Sequence, residues 1–193
     1  MAASSGSAVK EFMKVLIVSA GYKLFDAKGQ LNGYLTYLTE QHLKSKGYDV
    51  KSSDVTKDWD VERELAKLLW ADTIIYITPI MWFNMPAPMV KWLDEVLVYE
   101  KTFVITEQYG EGGRIPANKF MVVATSNLKH SDLGTGFVLK NAPHIDDLLQ
   151  PLIQTNHYLS IREQIPTFHA GDVVAGDTSW IEAAYKKHLA AHF

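Results

Sequence analysis

Short aliphatic runs alternate along the chain with segments whose apolar residues recur every three or four positions. Residues 14–19 read KVLIVS, a run stopped by small and polar residues, and predict a strand buried on both faces. Leu31, Leu35, Leu38 and His42 then fall on one helical face, with Tyr34 beside the stripe, and Gly47 closes that helix. Residues 48–51 return as a short strand. Val61, Leu65, Leu68 and Leu69 mark a second helix, and residues 73–78, TIIYIT, are the strongest central-strand candidate. After a Pro-rich interruption at residues 79–88, Met89, Leu93, Val96 and Leu97 suit the inner face of a third helix. Residues 119–125 predict strand four, 145–156 a helix and 164–169 a final strand. Ser179 and Glu182 form a candidate capping box for a terminal helix carrying Ile181, Ala184, Tyr185 and His188 on a broad face. The alternation implies an α/β domain of three layers around a five-stranded parallel sheet. It spans residues 13–193 behind a flexible tail at 1–12, with no internal repeat.

In an open parallel sheet, ligands bind in the crevice beyond the carboxyl ends of the strands. Three loops belong to that edge: residues 19–30, 79–87 and 126–141. The first feeds a helix whose opening backbone N–H groups could cradle phosphate, with Lys23 adding positive charge. It is neither a GxGxxG nor a Walker A sequence, and a helix cap with glycine-dependent turns reads equally well from it. The second loop brings Trp82 and Phe83 to the mouth of the sheet between Pro79 and Pro86. That surface suits an isoalloxazine ring, or else an oligomer interface or a hydrophobic plug. In the third, Thr125, Ser126 and Asn127 can meet a sugar, a flavin carbonyl or a phosphate, or satisfy a turn locally. Tyr109 with Gly110, Gly112 and Gly113 could admit a ring, pack on a dimer mate or cover a sheet edge.

Composition narrows the chemistry. The 193 residues include no Cys, which excludes disulfides, thiolate catalysis and cysteine-held iron–sulfur or zinc. A net charge of −3 argues against a nucleic-acid partner. No apolar run approaches the roughly 20 residues of a membrane-spanning helix, and the start lacks a secretory pattern, so a cytoplasmic protein without an integral membrane anchor is expected. Seven His form no HExxH; His188 and His192 share i,i+4 spacing without a third ligand, so no metal site is expected. His130 and His144 could approach the crevice, whereas His169 reads as turn chemistry. The acidic residues Asp54, Asp58, Asp60 and Glu62 read as a solvated helix start, and Arg114 as a surface charge or an aid to a dinucleotide.

Several stretches together resemble the flavodoxin-like NAD(P)H:quinone reductases, particularly the bacterial modulator-of-drug-activity B type. They are Lys23 through Asn32, the run from Leu69 to Trp82, Phe83, Asn84, Pro86, Ala87, the YGEGG at 109–113, IPTF at 165–168 and YKKHL at 185–189. The resemblance covers roughly residues 13–192. It implies a flavodoxin-like three-layer sandwich, FAD, a homodimer, and two-electron quinone reduction with NADPH or NADH as diffusible hydride donor. Carried onto matching positions, it makes Lys23, Gln30, Leu31, Pro79, Ile80, Met81, Trp82, Phe83, Thr125, Ser126 and Asn127 candidate FAD contacts. Tyr109 is then the residue that positions the acceptor, and Gly113 the one that permits close access. The chain departs from the bacterial pattern at Ser19 and Ala20 before Gly21, at Met81, and at Ser126, where some relatives carry Trp; these changes bear on substrate preference. A flavodoxin-like electron carrier or flavin-binding regulatory protein is the competing functional class.

Overall fold

The computed structural model describes residues 13–23 and 28–193; the expected tail at 1–12 lies outside the described residues. Five strands form one sheet: β1 (Lys14–Ser19), β2 (Asp49–Asp54), β3 (Thr73–Pro79), β4 (Lys119–Thr125) and β5 (Glu163–Ala170). All pair in parallel, in the order β2-β1-β3-β4-β5. The three central strands are aliphatic on both faces because helices cover both. On one face α2 (Val61–Trp70), α3 (Ala87–Val96) and α5 (Gln150–Tyr158) pack over Leu16, Val18, Ile74, Tyr76, Phe120 and Val122. On the other, α1 (Gln30–Ser45) and α6 (Ile181–His192) pack over Val15, Ile17, Ile75, Ile77, Met121 and Val123. No helix among the described residues is long and apolar enough to cross a membrane.

The expected elements are present with shifted edges. The helix expected at 145–156 is a 3-10 turn, Ile145–Leu148, followed by α5, because Pro151 favours a fresh helix start at that point. A short α4 (Gly136–Leu139) interrupts the preceding loop. Gly47 follows α1 at φ 84°, the left-handed conformation that ends a helix. The capping box at Ser179 does not form. Ser179 N–H instead donates to Asp177 Oδ1 at 2.8 Å, and α6 starts after Trp180 without a side-chain cap. Glu182 accepts from Tyr34 Oη at 2.6 Å, tying α6 to α1.

A buried hydrogen bond fastens the same two helices deeper down. Thr39 Oγ1 gives its proton to the Leu35 carbonyl at 2.7 Å, so at the 2.5 Å contact with Tyr185 the phenol donates. Both residues are fully buried. Burial also pushes the Tyr185 hydroxyl pKa well above its ordinary value, which keeps it a donor. A Tyr185→Phe variant should lose about 1–2 kcal/mol of stability in urea denaturation, since Thr39 Oγ1 keeps a lone pair with no donor. A loss below about 0.3 kcal/mol would contradict that role.

Candidate functional site

Strand order reverses at β1, which has β2 on one side and β3 on the other, and such a switch point opens a crevice at the carboxyl edge. A cavity of 410 Å³ lies there, lined by residues of four separate loops: Tyr22 and Lys28 to Asn32, Pro79 to Met81, Thr125 to Asn127, and Val173 with Val174. The backbone ladder continues past the strand ends to hold these walls. Ala20 N–H donates to the Ile77 carbonyl at 2.9 Å, Ile80 N–H to Thr125 at 2.8 Å and Ser126 N–H to Ala170 at 3.0 Å. Asn32 Nδ2 donates to Thr125 Oγ1 at 3.1 Å, joining the first turn of α1 to the end of β4.

The wall after β1 depends on two glycines. Gly29 has φ 69°, and a Cβ there would stand 2.3 Å from the Gly21 carbonyl oxygen, so the two ends of that loop touch backbone to backbone. α1 then begins with neither a side-chain cap nor an acidic residue in its first turn. Its opening N–H groups, at the positive end of the helix, border the cavity beside Lys28. Among the described residues no carboxylate lines the cavity to oppose an anion. Leu31, Ile80, Met81, Val173 and Val174 supply apolar wall, and Thr125, Ser126 and Asn127 supply polar edge. This donor set fits a planar ring with a phosphate-bearing tail.

Of the candidate residues, Gln30, Leu31, Pro79, Ile80, Met81, Thr125, Ser126 and Asn127 meet at this cavity. Lys23 is exposed and outside the lining; Lys28 is the cation at the wall. Trp82 and Phe83 are also outside it. They occupy the centre of a two-residue turn closed by Met81 N–H to Asn84 O at 2.7 Å and Asn84 N–H to Met81 O at 3.0 Å. Both have positive φ, 50° and 62°, and Trp82 is 89 % exposed.

Tyr109 and Gly113 are not brought to the cavity within one chain. They precede β4 and sit with the carboxyl end of α5, at the amino edge of the sheet: the Tyr109 and Tyr158 rings are 5.5 Å apart. A Cβ on Gly113 would be 2.2 Å from the Leu159 carbonyl carbon, so within one chain the glycine makes a close backbone packing contact. A separate cavity of 640 Å³ there is bordered by Tyr109, Glu111, Gln154, Tyr158 and Arg162. Arg114 is likewise away from the crevice, its guanidinium donating to the Glu100 carbonyl at 2.8 Å. No group of three His, Asp or Glu among the described residues is arranged to hold a metal ion.

Sequence reasoning passed over the loop after β5. It contributes Val173 and Val174 to the wall and, one layer behind, His169, whose Nε2 lies 2.8 Å from Ser126 Oγ. Burial, and then the nearby His130, pushes the His169 imidazole down to about 4. Position could have flagged the loop: Gly171 immediately follows a strand at the carboxyl edge.

Two measurements test this geometry. An L-residue at positive φ costs on the order of 1–3 kcal/mol, and paired positive-φ turns favour Asn-Gly. Replacing Trp82 by Asn together with Phe83 by Gly should therefore stabilise the ligand-free monomer by about 1 kcal/mol in urea, measured at dilutions where light scattering gives the mass of one chain; no gain there would show an unstrained turn. For His169 the folded value lies below the ordinary 6.5, so the unfolded chain binds more protons between the two. Its contribution is complete above pH 6.5 and is lost as pH falls toward 4. His42 and His188 are lowered by burial in the same sense. The melting temperature should fall between pH 7 and pH 4.5, and less steeply in His169→Gln; identical slopes would contradict the assignment.

Comparison with known proteins agrees with this geometry. Residues 13–193 match the family described as having the flavodoxin-like fold. The NADPH:quinone oxidoreductase MdaB of Haemophilus influenzae is 28% identical over 188 residues, covering 92% of this chain and 97% of that protein. The structure of an NAD(P)H:quinone oxidoreductase from Methanothermobacter marburgensis superposes with a TM-score of 0.68 at 17% identity, over 94% of this chain and 96% of that one. The expectation of FAD is corrected by relatives whose flavin is named. The FMN-dependent NADH:quinone oxidoreductase 1 of Pseudomonas syringae is 29% identical over 105 residues, 53% of this chain and 52% of that protein. An FMN-dependent NADH-azoreductase of Bacillus anthracis, solved with FMN, shares the fold at a TM-score of 0.64 and 14% identity, over 94% of this chain and 97% of that one. The chain belongs to the flavodoxin-like fold family.

Proposed function

We propose that this protein is an NAD(P)H:quinone oxidoreductase working through FMN. The observation that carries the reading is the crevice at the carboxyl ends of β1, β3 and β4. It joins an uncapped helix start and Lys28 to an apolar wall and a row of polar groups. The quinone-reductase relatives support the substrate class, and the FMN-dependent ones the flavin. FMN bound there would accept a hydride from a nicotinamide nucleotide and pass two electrons to a quinone. The chain's task is to bind and orient. The opening amides of α1 and Lys28 would hold the phosphate; Leu31, Ile80 and Met81 would pack against the ring and keep water from that side. Thr125, Ser126 and Asn127 would fix the polar edges. Hydride transfer needs no protein nucleophile, which is consistent with a crevice lacking carboxylates among the described residues.

Tyr109 and Gly113 enter this reading only through a second copy of the chain, because within one chain they occupy the opposite sheet edge. A homodimer is supported by large apolar groups left in solvent: Trp82, Ile105, Tyr109 and Phe137 are all exposed. In such a dimer Tyr109 would border the partner's ring and position the acceptor, and the strained turn at Trp82 and Phe83 would meet the facing subunit.

Anaerobic stopped-flow mixing tests the function. NADPH or NADH should bleach the FMN-loaded protein, and a short-chain quinone added in a second mix should restore the oxidised spectrum. Failure of both nucleotides to bleach the flavin, with efficient electron exchange with a carrier protein instead, would replace this reading with that of an electron carrier.

A further inference from the structure

Ser126 is held on every side that faces the protein. Its N–H donates to Ala170 O at 3.0 Å and its carbonyl accepts from Val173 N–H at 3.2 Å. Its hydroxyl oxygen accepts from Leu128 N–H at 3.1 Å and lies 2.8 Å from His169 Nε2. His169 is 6 % exposed. Its Nδ1 is buried and, among the described residues, has no hydrogen-bond partner. The ring stands against His130, 4.6 Å away between centroids, and against Gly171, where a Cβ would stand 3.1 Å from His169 Cε1, and it borders a second cavity of 460 Å³ lined by His144 and Thr167.

This arrangement leaves two proton placements. If Nδ1 carries the proton, Ser126 must donate to Nε2, a buried N–H is orphaned, and the crevice receives no hydroxyl proton. If Nε2 carries it, His169 donates to Ser126 and only a lone pair on Nδ1 is orphaned. Orphaned buried N–H groups are the rarer of the two in proteins. We infer that His169 holds Ser126 as an obligate hydrogen-bond donor into the crevice: with both acceptor positions of Oγ filled by Leu128 N–H and His169 Nε2–H, its proton can only turn outward. The group it selects is an acceptor, such as a carbonyl oxygen at the edge of a flavin ring, and it discriminates against a donor at that place. His169 is thus a positioning residue, acting through Ser126. Its low affinity for protons supports the neutral ring this requires. The reading of the ligand as a flavin rests on the function proposed above; the tautomer does not.

The tautomer is read directly from the ¹⁵N shifts of His169 in ligand-free protein labelled on histidine. The Nε2–H form is expected, and the Nδ1–H form would overturn the inference. FMN titrations give the second arm, with melting temperatures taken alongside. Ser126→Ala should weaken FMN binding about tenfold; His169→Leu, which only frees the Ser126 hydroxyl to turn, should weaken it less, about threefold to fivefold, and should add nothing in the Ser126→Ala background, because His169 acts through Ser126. His169→Gln, whose amide N–H can take the place of Nε2–H, should stay within about threefold of the wild type. Wild-type affinity in Ser126→Ala, or losses that simply multiply in the double variant, would overturn the inference alone. A wild-type protein that binds no FMN but carries the Nε2–H tautomer would instead overturn the flavin reading.

Discussion

The parallel register of β1, β3 and β4 governs everything at the crevice. It places Ser19 level with Ile77, and Pro79 level with Thr125, so three chain segments leave the sheet together. Their first residues beyond the strands go on bonding to one another, through Ala20 to Ile77, Ile80 to Thr125 and Ser126 to Ala170. These buried backbone groups have no water to fall back on, so the loops cannot separate without leaving them unpaired. Where the strands leave the sheet, the crevice wall is therefore held by the same ladder as the sheet itself. Between two of its ends, the backbone contact of Gly21 with Gly29 brings α1 in with its uncapped start at the cavity.

Much of this was legible along the chain because buried parallel strands are near-continuous aliphatic runs. KVLIVS, TIIYITP and KFMVVAT could be placed to within a residue, and their carboxyl ends identified the loops. Elsewhere a local pattern is not enough to place a residue. Trp82 and Phe83 made the loop after β3 look like a ring-binding surface, yet residue type does not reveal the sign of φ. The closed turn between Met81 and Asn84 leaves both in solvent, outside the lining of the cavity in one chain. Ser179 had the spacing of a cap, but Asp177 took its N–H first. The resemblance groups Tyr109 and Gly113 with the flavin site, whereas within one chain they stand apart from the crevice. Their place a few residues before β4 already put them at the amino edge of a parallel sheet.

His169 shows a different limit. Its partner Ser126 is 43 residues away, and the two meet only because β4 and β5 pair along their length up to Thr125 and Ala170. Nothing in the spacing of histidines marks it. The flavin itself is a third kind of case: a helix start, a cation and an apolar wall specify a phosphate and a ring, but not how many phosphates. FMN-dependent relatives, not the residues lining the cavity, corrected that point.

A crystal structure of the protein grown with FMN tests the central claim most directly. The phosphate is expected at the opening N–H groups of α1 beside Lys28, and the ring against Ile80 and Met81 with an acceptor oxygen on Ser126 Oγ. FMN seated in the 640 Å³ cavity beside Tyr158 and Arg162, with the crevice at the carboxyl edge left to solvent, would contradict it.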